Sequence, residues 1–287
     1  MLPATVSGSF EIHSHSTISD GRLSPLDMAE KMAASGVRLW SLTDHDNVSG
    51  CEEAERGARA QGITFVSGIE ISAQYKGTSI HVLGYGFDRT KKELATYGDQ
   101  MVAARRNRMK EMVEKVSSLG MKVTTDEVHQ LSPEGNIGRP HLATALVRRG
   151  YVESEQEAFD RWLHREGPGY VPMTLLSVRD AIALIRGAGG LVVLAHPARY
   201  GDLSELLPQW KIDGLWGLEI RHPSHSTQDE ARLLRVAKKA GLQCTASNDW
   251  HGSTTSEERR LGKVRYPEAW ATSLLKALSN TYEGKKS

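Results

Sequence analysis

The sequence predicts an α/β protein: a TIM-like barrel of parallel strands with helices outside and one helical insertion. Three observations carry this. Short apolar runs alternate with helical patterns over most of the chain. No glycine-rich phosphate loop follows the first strand, as a dinucleotide-binding sheet would require. Histidines and carboxylates fall at or near the ends of successive strands, where a parallel barrel gathers its functional side chains on one face.

Strand candidates are 10–13, 37–43, 63–69, 79–84, 191–195, 215–220 and 242–247, each rich in β-branched, leucine or aromatic residues. Helices fit between most of them. Ser24 is placed as an N-cap, with Pro25 at the first helical position and Gly36 past the end. Residues 49–62 repeat the pattern, with Glu52 at the capping-box position after Ser49. Further helices are expected at 177–188, at 227–240 (closed by Gly241) and at 268–280. Lys76-Gly77 between the third and fourth strands predicts a hairpin-like turn.

Residues 92–168 offer no strand and predict helices at 92–119, 125–131, 139–149 and 154–164. The expected organisation is therefore a barrel built from 1–91 and 169–287, with 92–168 inserted between its fourth and fifth strands. The insertion carries a basic stretch, "AARRNRMKEM" at 103–112. A solvated helix face is the simpler reading of it. A lid bringing positive charge over an anionic substrate is the sharper one.

Composition narrows the classes. A chain of 287 residues with net charge +1 and 39% hydrophobic residues suits one large domain, or one domain with an insertion. Near-zero charge argues against a long nucleic-acid groove but not against a local phosphate pocket. Cys51 and Cys244 have no CxxC spacing, which argues against a disulfide scaffold or a cysteine-zinc site and makes a reducing cytoplasm the natural reading. No apolar run approaches the roughly 18 residues of a membrane span. Residues 1–10 lack a signal-peptide pattern, and 283–287 read as a frayed tail.

Of the 11 histidines, most lie at strand ends. His13 and His15 end the first strand, with Asp20 in the loop behind. "TDHD" at 43–46 ends the second and supplies His45. Glu70 ends the third, His81 lies in the fourth, and His196 ends the fifth. "RHPSH" at 221–225 follows the sixth, and Asp249 and His251 follow the seventh. Singly, each has an ordinary reading: a polar turn, a cap, a hydrogen-bonded core histidine. Together, His13, His15, Asp20, His45, Glu70, His81, His196, Asp249 and His251 converge on one barrel mouth. Imidazoles and carboxylates without thiolate suit zinc, manganese or iron. These donors exceed the needs of one tetrahedral ion, so two or three ions are expected.

In order along the chain, His13-x-His15 with Ser19-Asp20-Gly21, Thr43-Asp44-His45, Glu70, His81, Ala195-His196-Pro197 and Asp249-x-His251 resemble the motifs of the PHP (polymerase and histidinol phosphatase) superfamily of metal-dependent phosphoesterases. "IGRPHLA" (137–143), "GPGYV" (167–171), "AHPARY" (195–200) and "HPSHS" (222–226) are similar to its nucleotide phosphatase and exoribonuclease branch, the RNase AM or TrpH-like proteins. The resemblance implies a distorted TIM-like (β/α)7 barrel, the PHP fold, and a trinuclear centre. The first ion would take His13, His15, Glu70 and Asp249. The second would share Glu70 and take His81 and His196. The third would take Asp20, His45 and His251. Manganese is the implied ion, with zinc, iron(II) or magnesium as alternatives.

Arg139 and His141 match positions that contact substrate phosphate, joined by Arg199 and, more weakly, His225. The implied reaction is attack by a metal-bridging hydroxide, held by Glu70, His13, His15 and Asp249, on a phosphate ester. His225 or a water on the third ion is the candidate general acid. Expected substrates are nucleoside 3′,5′-bisphosphates, losing the 3′-phosphate, and short 5′-phosphorylated RNA trimmed 5′→3′. The rivals are a histidinol-phosphate phosphatase and a catalytically silent metal-binding module. The oligomeric state is left open, a monomer included. The chain departs from the family at Glu11, where aspartate is usual.

Overall fold

The structure, a computed structural model, describes residues 8–132, 136–252, 255–264 and 266–283. All but the first residue of the expected tail at 283–287, and most of the N-terminal stretch judged for a signal peptide, lie outside them. Among the described residues no helix is long and apolar enough to cross a membrane.

The strands are β1 (Ser9–Glu11), β2 (Val37–Leu42), β3 (Thr64–Tyr75), β4 (Thr78–Tyr85), β5 (Leu176–Ser177), β6 (Leu191–Leu194), β7 (Gly217–Arg221) and β8 (Gln243–Ala246). Their sheet order is β1-β2-β3-β4-β6-β7-β8, with the two-residue β5 added beside β3. A parallel bridge between Ser14 and Trp250, just past β1 and β8, brings the two ends of this path together. The seam there is held partly by side chains. Glu11, at the end of β1, accepts hydrogen bonds from Ser247 Oγ, from Asn248 N (3.0 Å) and from Asn248 Nδ2 (2.6 Å).

Three expectations change. First, the sheet is not wholly parallel: β4 runs antiparallel to both β3 and β6. The cause is the Lys76-Gly77 turn. A two-residue turn can join only antiparallel strands, and both residues take the positive φ (44° and 78°) that such a hairpin needs. Reversal puts the early half of β4, including His81, level with Ser72, beyond Glu70 on β3. Second, Glu70 does not end β3, which runs on to Tyr75 to pair with β4. Likewise β1 stops at Glu11, and His13 and His15 follow it. Third, the Ser49–Glu52 capping box does not form. Asn47 Oδ1 takes the Ser49 N–H at 2.9 Å, and the helix starts at Cys51.

The other barrel helices form as expected, among them Pro25–Ala34, Val178–Gly187 and Thr227–Ala240, with Ser24, Ser177 and Ser226 as N-caps. The insertion contributes α1 (Lys92–Ser118), α2 (Thr125–His129), α3 (Arg139–Arg148) and α4 (Glu155–Ala158), the last continuing into a wide turn at Phe159–Leu163. It has an apolar cluster of its own, including Met109, Met112, Val116, Leu142 and Leu146. Each such fully buried side chain contributes about 1.5–3 kcal/mol. The first turns of α1 instead pack Leu94, Tyr97 and Met101 into the barrel core. One helix thus belongs to both cores.

Candidate metal centre

The expected ligands do meet at one mouth, around three carboxylates. Glu70 Oε2 lies 3.0–3.3 Å from His45 Nδ1, His15 Nε2 and His13 Nε2. Its Oε1 lies 2.9 Å from His81 Nδ1 and 3.2 Å from His196 Nε2. Asp249 Oδ1 stands 3.3 Å from His13 Nε2 and 3.2 Å from His15 Nε2. Asp20 faces His251 Nε2 at 3.4 Å and His45 Nε2 at 3.8 Å.

Local structure sets these positions. A Cβ on Gly21 would sit 2.0 Å from the His15 carbonyl oxygen, so only glycine lets the Asp20 loop fold back so tightly. Asp44 pins the same loop, accepting from Ser16 N (2.8 Å), Ser16 Oγ (2.7 Å) and Ser19 Oγ (2.6 Å). Asp46, His196 and Asp249 all have positive φ (52°, 29° and 50°). Such backbone costs about 1–3 kcal/mol per residue and persists where surroundings enforce it, often at functional sites.

The donors suit a cation. His13 Nε2, His15 Nε2, Asp20 Oδ1, His45 Nδ1 and Glu70 Oε2 are buried and make no hydrogen bond. Buried orphans normally cost about 1–3 kcal/mol each, so five converging ones call for a partner of opposite character. Three ligand sets lie with their donor atoms within 4.8 Å of one another: His13, His15, Glu70 and Asp249; His15, Asp20, His45 and His251; and His45, Glu70 and His81. The residues present therefore fit divalent ions.

Charge is arranged accordingly. Burial alone would raise Asp20, Glu70 and Asp249, but the facing imidazoles outweigh it and hold all three well below the usual carboxylate range. Burial also opposes charge on His13 and His15. Glu219, Asp249 and Glu70 nevertheless push His13 well above its ordinary value, and Asp249 and Glu70 hold His15 at about 10. At His45 and His196 burial dominates, lowering them to about 3 and about 4. These two are neutral at pH 7, the form that binds metal.

Several neighbours escape notice in the sequence. Glu219 Oε1 accepts from His13 Nδ1 (3.0 Å), and its Oε2 accepts the His196 N–H (2.8 Å). A carboxylate only accepts, so His13 keeps a proton on Nδ1, and Nε2, which faces the cluster, is the nitrogen that would give up its proton to bind an ion. Tyr200 Oη bridges the His81 N–H (2.8 Å) and His196 Nδ1 (2.9 Å). His222 Nε2 lies 3.1 Å from Asp249 Oδ2. An acid in the apolar strand "GLEIR" was the available signal for Glu219, and "RHPSH" for His222.

The expected phosphate contacts are more scattered. Arg139 joins Arg105 and Arg108 in the wall of a cavity of about 200 Å³ that also includes Asp20, His45 and His81. Its guanidinium lies over Phe159 and Tyr170 and donates to Leu163 O at 3.0 Å. Burial, then Arg139, lowers Arg108 to about 10. His141 Nδ1 accepts the Gly138 N–H (2.9 Å) and lines a second cavity with Asp20 and His251. Arg199 donates to Ser224 Oγ at 3.2 Å and reaches within 4.0 Å of Asp249 Oδ2. His225 turns away: its Nδ1–H donates to Ile220 O at 2.8 Å, and His222 stands in the place facing Asp249.

The PHP domain model matches residues 11–164, more than half of the chain. The chain belongs to the PHP domain family. This PHP chain is 32% identical over 246 residues to a 5′-3′ exoribonuclease of Haemophilus influenzae, covering 84% of this chain and 89% of that one. It is 32% identical over 247 residues to a 3′,5′-nucleoside bisphosphate phosphatase of Chromobacterium violaceum, covering 84% and 86%. At 30% over 247 residues it also resembles a phosphoribosyl 1,2-cyclic phosphate 1,2-diphosphodiesterase of Eggerthella lenta, covering 84% and 94%. A solved Chromobacterium violaceum structure described as an amidohydrolase, with bound sulfate and no metal, superposes with a TM-score of 0.87 at 29% identity, covering 96% and 97%. The PHP chain is thus an enzyme of the phosphoesterase kind, on the branch of the phosphatases and exoribonucleases.

Proposed function

We propose that the chain removes the 3′-phosphate from nucleoside 3′,5′-bisphosphates and trims short 5′-phosphorylated RNA from its 5′ end. One observation carries this reading. The ligand cluster opens into a cavity walled by Arg105, Arg108 and Arg139. A substrate with one phosphate on the cluster would place a second anionic group against these guanidiniums, which match phosphate oxygens in planar forks. Both relatives named for nucleotides or RNA act on molecules with more than one phosphate position.

His13, His15, Glu70 and Asp249 would hold one ion, and Glu70, His81 and His196 a second. Asp20, His45 and His251 would hold a third. The first set coincides with one of the three clusters of mutually close donor atoms. His45 adjoins both Asp20 and Glu70, which supports a position for it between the second and third ions. Manganese suits these nitrogen and oxygen donors, as do zinc, iron(II) and magnesium. Bound ions would supply a water of lowered pKa and neutralise phosphate oxygens. The chain's own part is positional. Glu70 and Asp249 anchor the charge, Arg199 stands 4.0 Å from Asp249 to steady the scissile phosphate, and the arginine wall orients the second one.

The proposed organisation keeps 92–168 as a helical subdomain on a barrel of 1–91 and 169–287. Its separate apolar cluster supports this, and Val171 packs with that cluster too. The test is a phosphate-release panel with manganese: adenosine 3′,5′-bisphosphate, 5′-phosphorylated short RNA and DNA, a cyclic ribose phosphate, and histidinol phosphate. Preference for the bisphosphate and the RNA is expected. Preference for histidinol phosphate or the cyclic ester overturns the substrate assignment.

A further inference from the structure

The insertion touches the metal-bearing loops through buried polar bonds. Asp46, next to His45, is fully buried and takes a left-handed backbone. Its carboxylate accepts from Tyr97 Oη (2.6 Å) and from Arg105 Nη2, both on α1, and from Ser72 N (2.6 Å) on β3. Its own N–H donates to Glu70 O at 2.8 Å. Arg105 Nη2 also donates to Ser72 Oγ at 2.9 Å, while its Nε is buried without a partner in the cavity wall. From the same insertion, Asn136 donates its N–H to Ile18 O at 2.7 Å and its Nδ2 to His45 O.

These bonds converge on one residue. His45 is held at its carbonyl by Asn136 and through its neighbour Asp46 by Tyr97 and Arg105. It is also the imidazole that adjoins both Asp20 and Glu70. We infer that the Tyr97–Asp46–Arg105 contact is a positioning device for His45, so that the insertion is a fixed wall of the metal centre. The double membership of α1, with Leu94, Tyr97 and Met101 in the barrel core and Met109 to Val116 in the insertion core, argues the same way. A lid that swung away would break a buried ion pair and leave the Asp46 carboxylate with only its Ser72 N–H bond. Arg105 serves two ends: its Nη2 holds Asp46, and the residue also lines the cavity where an anion would lie. The inference rests on the metal-centre reading above.

The experiment compares manganese binding by calorimetry, and manganese per folded chain by elemental analysis, for the intact protein and three variants. Tyr97→Phe removes only the hydroxyl and keeps the ring in the core. Asp46→Asn removes the charge. Tyr151→Phe is the control, because its hydroxyl bonds Lys122 N (3.0 Å) elsewhere in the insertion. Melting curves in chelator report folding separately. The expected result is a loss of about tenfold in affinity for the weakest-held ion in Asp46→Asn, a smaller loss in Tyr97→Phe, and none in Tyr151→Phe. Unchanged manganese binding in both folded variants overturns the inference, even where their melting points fall. If Asp46→Asn does not fold, Tyr97→Phe alone decides it. An intact chain that binds no divalent ion overturns the metal-centre reading itself, and the inference with it.

Discussion

At the barrel mouth, the ligand side chains come from separate segments reaching from His13 to His251, and each follows or lies within its own strand. In the facing insertion, Arg105 and Arg108 come from one helix and Arg139 from the start of another. The mouth concentrates carboxylates and imidazoles for cations. The insertion concentrates guanidiniums against aromatic faces with few carboxylates to answer them. On the proposed reading, cations on one side and an anion pocket on the other would form a slot for a molecule with two phosphates. On that reading, the chemistry falls to the barrel mouth and the selectivity to the insertion.

The strongest way to break this division is at the mouth. Glu70→Gln should lower turnover of every phosphate substrate by at least about 10³-fold and strip bound manganese, since the shared carboxylate serves more than one ion. Turnover near that of the intact enzyme, measured by phosphate release, would remove the metal centre from the account.

A substitution in the insertion should look different. Arg108→Ala should cut kcat/KM for a nucleoside bisphosphate by about 10–100-fold, the worth of a charge-assisted hydrogen bond, yet spare a simple aryl phosphate. Equal losses on both would show that the arginine wall acts on the scissile phosphate or on folding.

The pH dependence sharpens the contrast further. In chelator, His15 titrates at about 10, above its ordinary value, so its stabilisation is complete below pH 6.5 and is lost as pH rises through 10. The depressed Asp20, Glu70 and Asp249 lose theirs only as pH falls below the carboxylate range. The metal-free melting point should therefore fall from pH 6.5 to 10. With manganese the trend reverses, because ligating histidines must shed protons and rising pH favours binding. Identical trends with and without metal would contradict the site.

The smallest effect is expected at the seam. Glu11→Asp shortens a side chain whose carboxylate holds Ser247 and Asn248, and should cost about 1 kcal/mol by denaturant melting while leaving manganese affinity unchanged. A changed affinity would make Glu11 part of the metal centre rather than of barrel closure.

Seven of the strands and the ligand-type residues are legible because apolar runs alternate with polar residues at or near their ends; the two-residue β5 offers no such run. Local periodicity reports such runs directly. Even the antiparallel β4 is foreshadowed by Lys76-Gly77, because a two-residue turn joins only antiparallel strands. What periodicity cannot report is pairing across the chain. That Glu219 would bond His13, that Asp46 would meet Tyr97 and Arg105, and that His222 rather than His225 would face Asp249 depend on contacts between distant segments. The basic stretch at 103–112 shows the same limit. Its charge is plain in the sequence, but only packing of α1 on the barrel decides that Arg105 and Arg108 turn toward the cavity.

The most direct measurement is a paired one: kcat/KM with manganese for adenosine 3′,5′-bisphosphate and for adenosine 3′-monophosphate. They share the scissile ester and differ only in the group offered to the arginine wall. The account predicts a preference of at least about 100-fold for the bisphosphate, as two or more charge-assisted contacts would give. Equal values would contradict the claim that a metal mouth and an anion-binding insertion together define the substrate.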